Sequence, residues 1–195
     1  MNPDTELLRV RQPCDKKTVM PSCENLTGSL LVAHPTLRDP NFRRTIIFLS
    51  QHSEDEGATG FILNRPLDDS MAEAGDLENV PVHFGGPVDP TRLVLTSLQW
   101  RENPTAVAFR MFVGSGGEEA IDREWRDGLR AFAGYSGWSA GQLEGEIAGD
   151  SWIVIPPTQD LIEMQNPAPA WRNLMRHSGP LMHLLAEAPD EPGKN

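Results

Sequence analysis

The chain has 195 residues and a formal net charge of −11 at pH 7. That length fits one domain able to bury roughly 70% of its unfolded surface. The charge has the wrong sign for a surface that wraps a phosphate backbone, so direct DNA binding is not expected. No apolar stretch approaches the roughly 20 residues of a membrane helix. The acidic start at Asp4 and Glu6 is unlike a secretory signal, and the expectation is a bacterial-type cytoplasmic protein with no membrane contact.

Residues 1–25 are polar, with Pro3, Pro13 and Pro21, and read as a flexible N-terminal extension that carries both cysteines, Cys14 and Cys23. These thiols form no Cys-x-x-Cys pair and are expected reduced. A single domain is expected over 26–188, followed by a polar tail at 189–195. Leu30 to Ala33 is an apolar run stopped by His34-Pro35, which predicts a buried strand. Pro35 to Asn41 reads as a loop, with Phe42 pinning it to the core. Thr45 to Leu49 is β-branched and near-continuous, the pattern of a strand covered on both faces.

An acidic turn at Glu54-Asp55-Glu56-Gly57 leads to Ala58–Leu63, expected antiparallel to the preceding strand. The stretch 68–79 is acid-rich and suggests a short helix or loop. Val82 to Phe84 and Leu93 to Leu95 predict strands on either side of a tight turn at Gly85-Gly86-Pro87. Val107 to Val113 predicts another. Ile121, Trp125 and Leu129 recur at four-residue spacing, with acids before and Arg126 and Arg130 after, which predicts a helix over 118–129.

Arg130 to Ala133 suggests a brief strand before a glycine loop at 134–138. Ser139 with Gln142 has the spacing of a capping box, predicting a helix to Ile147 with Leu143 and Ile147 inward. Trp152 to Ile155 is a strand stopped by Pro156-Pro157. Short helices are expected at 158–165, 169–177 and 181–187. Strands scattered among helices without a strict βαβ rhythm imply an α+β fold with a mixed sheet.

Chemistry is harder to find. Gly134-Tyr135-Ser136-Gly137-Trp138 departs from the nucleophile elbow Gly-x-Ser-x-Gly at its last position. Its glycines instead suit unusual backbone angles and close packing, with Gly137→Ala expected to unfold the protein. Free amides entering a capped helix would alternatively suit an anion. Gly114-Ser115-Gly116-Gly117 lacks the Lys of a phosphate loop and is followed by Glu118 and Glu119. His34, His52, His83, His177 and His183 have no metal-ligand spacing, so neither a metal nor a cofactor is expected. His83 alternates with Val82 and Phe84, which leaves it facing either outward or into a cleft as a titrating group. Between Gly28 and Pro189 every Lys or Arg is Arg, which suits oxyanion recognition but also follows from biased genome composition.

Four motifs in order carry a resemblance: Gly-Ser-Leu-Leu-Val-Ala at 28–33 with Asp39-Pro40-Asn41-Phe42, Leu-Asn-Arg-Pro at 63–66, Phe-Gly-Gly-Pro-Val at 84–88, and the block 134–146 followed by Trp152. Together they make residues 28–179 similar to the YqgE/AlgH family of bacterial proteins. The leader is extra, His34 stands where Met is more usual, and 97–130 is poorly matched. The resemblance implies a curled, bifurcated mixed sheet forming a pseudo-barrel with helices packed outside. It implies no defined reaction, although one member carries the label of transcriptional regulator. The expectation is therefore a non-enzymatic regulatory or interaction protein with an unknown protein partner. The alternative is a small-anion-binding protein or an enzyme with a pocket where Asn64, Arg65, Gly85, Gly86, Tyr135, Ser136, Gly137 and Trp138 converge, Arg65 and loop amides acting as donors. No catalytic residue is nominated.

Overall fold

The computed structural model describes residues 6–9, 25–67, 80–102, 105–112 and 121–188. The stretch 68–79, read above as a short helix or loop, and the glycine-rich 114–117 lie outside the described residues, as do Cys14, Cys23 and the tail from 189. Nine strands follow in chain order: β1 (Glu6–Arg9), β2 (Leu30–Ala33), β3 (Ile46–Ser53), β4 (Gly57–Ile62), β5 (Val82–Phe84), β6 (Val88–Glu102), β7 (Thr105–Phe112), β8 (Leu129–Trp138) and β9 (Trp152–Ile155). Among the described residues there are also four α-helices: α1 (Gln142–Ala148), α2 (Gln159–Ile162), α3 (Ala170–His177) and α4 (Pro180–Glu187). Within the N-terminal extension, Glu6–Arg9 pairs antiparallel with β7.

The strands form one mixed sheet in the order β1-β7-β6-β8-β4-β3-β2-β9, curled but not closed, with β5 attached to β8 off this path. β5 runs parallel to β8, and the other pairs are antiparallel. β8 is where the sheet forks. Its first half, Ala131 to Ala133, pairs with β5, and its second half, Ser136 to Trp138, pairs with β4. β6 runs along the other side of β8.

Period-two alternation divides the apolar side chains between two faces. Leu30, Val32, Ile46, Phe48, Phe61, Leu98, Val107 and Phe132 face Ile162, Trp171, Met175 and Ala186 of α2, α3 and α4. Leu31, Ala33, Ile47, Leu49, Ala58 and Ile62 face Leu143 of α1 and the rings of Trp138 and Trp152. The central strands β2, β3 and β4 are thus covered on both sides, as the unbroken apolar runs of β2 and β3 implied.

Two expectations are corrected. The helix over 118–129 is not formed in its described part: Ile121 onward yields only a 3-10 turn, Arg123–Trp125, and Leu129 already belongs to β8. Ser97 Oγ donates to the Trp125 carbonyl at 2.8 Å and Gln99 Nε2 to the Glu124 carbonyl at 2.8 Å, claiming acceptors that a continuing helix would need. Pairing of Leu129 with Ser97 then takes over. Second, residues 134–138 are not a loop. They continue β8, which is ten residues long, and the chain turns only at Ser139.

Candidate functional site

The fork brings two of the motifs into direct contact. β5 and β6 lie on opposite sides of β8, so the Gly85-Gly86-Pro87 link must pass across it rather than close a hairpin. The crossing occurs at Gly134. A Cβ on Gly86 (φ 153°) would sit 2.3 Å from the Tyr135 carbonyl carbon, and one on Gly134 (φ 69°) would sit 2.5 Å from the Val88 carbonyl oxygen. Two backbones therefore touch where side chains cannot fit. Gly85 donates its N–H to Ala133 O at 2.9 Å. Its carbonyl accepts from Ile62 N–H at 3.1 Å and from the fully buried Ser136 hydroxyl at 3.1 Å. Ser136 straps the crossing together, and Tyr135 packs at the edge of the α2–α4 core.

Gly137 differs from its neighbours. It is exposed, its φ is ordinary, and a Cβ there would meet nothing closer than 3.5 Å. The expectation that Gly137→Ala unfolds the protein is therefore corrected: the steric demand falls on Gly86 and Gly134.

Asn64 and Arg65 lie beside this crossing, because the Arg65 carbonyl accepts from Phe84 N–H at 2.8 Å. The buried Asn64 amide accepts from Ile46 N–H at 2.8 Å and donates to the Arg44 carbonyl at 2.9 Å, closing the 39–45 loop onto β4. Arg65 Nη2 donates to the carbonyls of Pro40 (3.2 Å) and Arg43 (3.0 Å). Burial and the neighbouring Arg43 lower the Arg65 pKa, with Asp39 opposing them. Trp138 lies on the α1 face, in an aromatic cluster with Trp152 (edge-on, 5.9 Å) and with Phe42 (stacked, 6.0 Å) of the same loop that Arg65 binds.

Several polar groups escaped sequence reading. Glu146 Oε2 accepts the indole N–H of both Trp138 (2.9 Å) and Trp152 (2.7 Å). Residues eight before and six after Glu146 meet only because β8, α1 and β9 wrap around it, a separation that no periodicity encodes. Gln142 Nε2 donates to the other carboxylate oxygen, while its Oε1 accepts from Ser139 N–H at 3.1 Å. That last bond is the returning half of the expected capping box; α1 itself starts from Gly141 without a side-chain cap. His52 is buried, and its Nδ1 accepts from Leu26 N–H at 3.1 Å. This assigns the proton to Nε2, which donates to Glu144 at 2.8 Å.

On the opposite face, His83 is only 6% exposed and its Nδ1 has no hydrogen-bond partner among the described residues. Its pKa is lowered to about 4, first by burial and then by the nearby Arg130. Arg130 donates through Nη2 to the Ile162 carbonyl. Its own pKa is lowered by burial and supported by Glu163. Among the described residues no cluster of three or more His, Cys, Asp or Glu has metal-holding geometry, and no helix is long and apolar enough to cross a membrane.

Known proteins align with this chain over most of its length. The AlgH-like family model matches residues 30–183. A UPF0301 protein of Thermobifida fusca is 34% identical, the alignment covering 88% of this chain and 96% of that one. Another, from Chlorobium phaeobacteroides, is 33% identical over 87% and 95%. Two solved structures share the fold: a crystal structure from Corynebacterium diphtheriae (TM-score 0.66, 22% identity, covering 87% and 95%) and the solution structure of the AlgH protein from Pseudomonas aeruginosa (TM-score 0.55, 23% identity, covering 89% and 98%).

Proposed function

The chain belongs to the AlgH-like family, and from that premise we propose that it is a cytoplasmic binding protein, of the regulatory or interaction type, that works without turnover. The observation that carries this reading is the direction of the motif side chains. Ser136, Asn64, His52 and Glu146 each spend their polar atoms on internal partners. The Ser136 hydroxyl donates its proton to the Gly85 carbonyl rather than to a general base. His52 next to Glu144 has the outline of a catalytic dyad, yet its remaining nitrogen already accepts from a backbone amide. The motifs build a scaffold, and recognition belongs to surfaces laid over it.

The test pairs two measurements on the full-length protein. Quantitative co-purification from the native host should enrich a defined partner over a mock sample. A panel of hydrolase and transferase substrates should give no turnover above background. Turnover that disappears in Ser136→Ala, with the fold intact, would overturn the reading.

A second reading keeps the small-anion site. Arg65 is only partly buried, its guanidinium lies against the 40–43 loop beside Arg43, and among the described residues only its Nη2 is bonded, to the Pro40 and Arg43 carbonyls. Its Nη1 and Nε edges would serve a carboxylate or phosphate, alongside the Gly85, Gly86, Tyr135, Ser136, Gly137 and Trp138 segment. If so, some anionic metabolites should raise the melting temperature of the wild type and fail to do so in Arg65→Ala. Identical thermal shifts in both proteins would remove this site.

A further inference from the structure

The β6–β7 hairpin carries a second polar constellation, away from the crossing. Its register places Ser97, Gln99 and Arg101 opposite Arg110, Ala108 and Ala106, on the face turned away from Leu98, Val107 and Phe109. The 3-10 turn at Arg123–Trp125 lies over this face, held by the Ser97 and Gln99 bonds to its carbonyls. Trp125 is buried to 1% exposure beside two guanidiniums: Arg101 stands 5.7 Å and Arg110 5.9 Å from its ring centroid.

These stacked cations leave their hydrogen-bonding edges poorly used. Arg101 Nε and Trp125 Nε1 are both shielded from water, and neither has a hydrogen-bond partner among the described residues. Among those residues Asp122 is the one carboxylate within salt-bridge range of either guanidinium; it is well exposed and 3.7 Å from Arg110. Each buried donor left without an acceptor carries an uncompensated desolvation cost. Both orphan groups are donors, both are adjacent to positive charge, and Arg101 is only partly buried. For a ligand to reach both donors, the Arg101 side chain must turn outward.

We propose that Arg101, Arg110 and Trp125 form a carboxylate-binding site, in which the Arg101 fork and the Trp125 indole N–H donate to the two oxygens and Arg110 supplies the second positive charge. A planar carboxylate matches the side-on edge of a guanidinium, and a third donor from an indole fits its remaining lone pairs. The site lies within 97–130, where the four motifs are absent, and it does not depend on the reading of the crossing.

The test uses full-length protein with its five tryptophan indoles labelled with ¹⁵N. Succinate is titrated against sodium chloride and inorganic phosphate at matched ionic strength. The Trp125 resonance, identified by its loss in Trp125→Phe, should move downfield saturably with succinate while the other four stay in place. Arg101→Lys keeps the charge but removes the Nε–H, and it should weaken succinate by at least about tenfold, the worth of one charge-assisted bond. If Arg101→Lys unfolds, Trp125→Phe followed by calorimetry replaces it and should also weaken binding. The proposal fails if succinate gives no saturable shift or if chloride reproduces it. It fails equally if phosphate alone moves the resonance, or if the substituted protein binds as tightly as the wild type.

Discussion

Gly134 and Gly137 stand three residues apart in one strand, and their neighbours ask opposite things of them. At Gly134 a methyl group would meet the Val88 and Gly86 carbonyl oxygens at 2.5 and 2.6 Å, and φ is 69°. Backbone atoms cannot step aside as a flexible side chain can, so Gly134→Ala should cost more than about 3 kcal/mol. Gly137→Ala should stay within about 0.5 kcal/mol of the wild type. Urea denaturation of the two proteins checks this, and equal losses would remove the crossing as the reason for the glycines. His83 gives a second prediction at the same scale. Its pKa is about 4 in the fold and 6.5 when unfolded, so the unfolded chain gains its proton first as the pH falls. The stability of the neutral, buried imidazole is complete above pH 6.5 and is lost as the pH drops towards 4, by no more than roughly 3 kcal/mol. His83→Leu should flatten that part of the stability–pH curve relative to the wild type, and parallel curves for the two proteins would refute it.

Helix α1 is seven residues long and would not persist alone in water. It is held by side chains at both edges. Glu144 bonds His52 of β3, and Glu146 bonds the indoles of β8 and β9. Glu146→Ala strands two buried indole N–H groups and should destabilise by about 2–4 kcal/mol, with a changed tryptophan emission. Glu146→Gln keeps an acceptor and should recover at least half of that loss; equal costs for the two would mean that packing, not the shared acceptor, holds the helix. These elements also show what the sequence made legible. Strands β2, β3, β4 and β9 were readable because their apolar runs and Pro or Gly ends are local signals. The 3-10 turn was not, because Ser97 and Gln99 claim its carbonyls from more than twenty residues away in sequence. The same limit applies to the candidate site: Asn64, Arg65, Gly85, Gly86 and Ser136 lie near one another in the fold, but their work in closing the 39–45 loop and strapping the crossing depends on non-local partners. Trp125 carried only the four-residue spacing that suggested a helix, and nothing local links it to Arg101, since only the hairpin register and the overlying turn bring them together.

At the scale of the whole molecule, the two apolar cores share strands rather than dividing the chain between them. Leu30 and Leu31 are adjacent in β2, both fully buried, and they point to opposite faces: Leu30 into the core under α2–α4, Leu31 into the core under α1. A strand cannot leave one core without leaving the other, so the faces are mechanically linked through β2, β3, β4 and β8. The fork strengthens that link, because the connection between β5 and β6 crosses β8 in direct backbone contact at Gly134. Each of Leu30→Ala and Leu31→Ala should therefore cost about 2–5 kcal/mol and lower the same single transition. Far-ultraviolet circular dichroism, which follows the sheet, and tryptophan fluorescence, dominated on the α1 side by Trp138 and Trp152, should report one midpoint for each protein. Two separated midpoints in Leu31→Ala would mean that the α1 face melts as its own unit, and that the crossing at Gly134 does not couple the two sides.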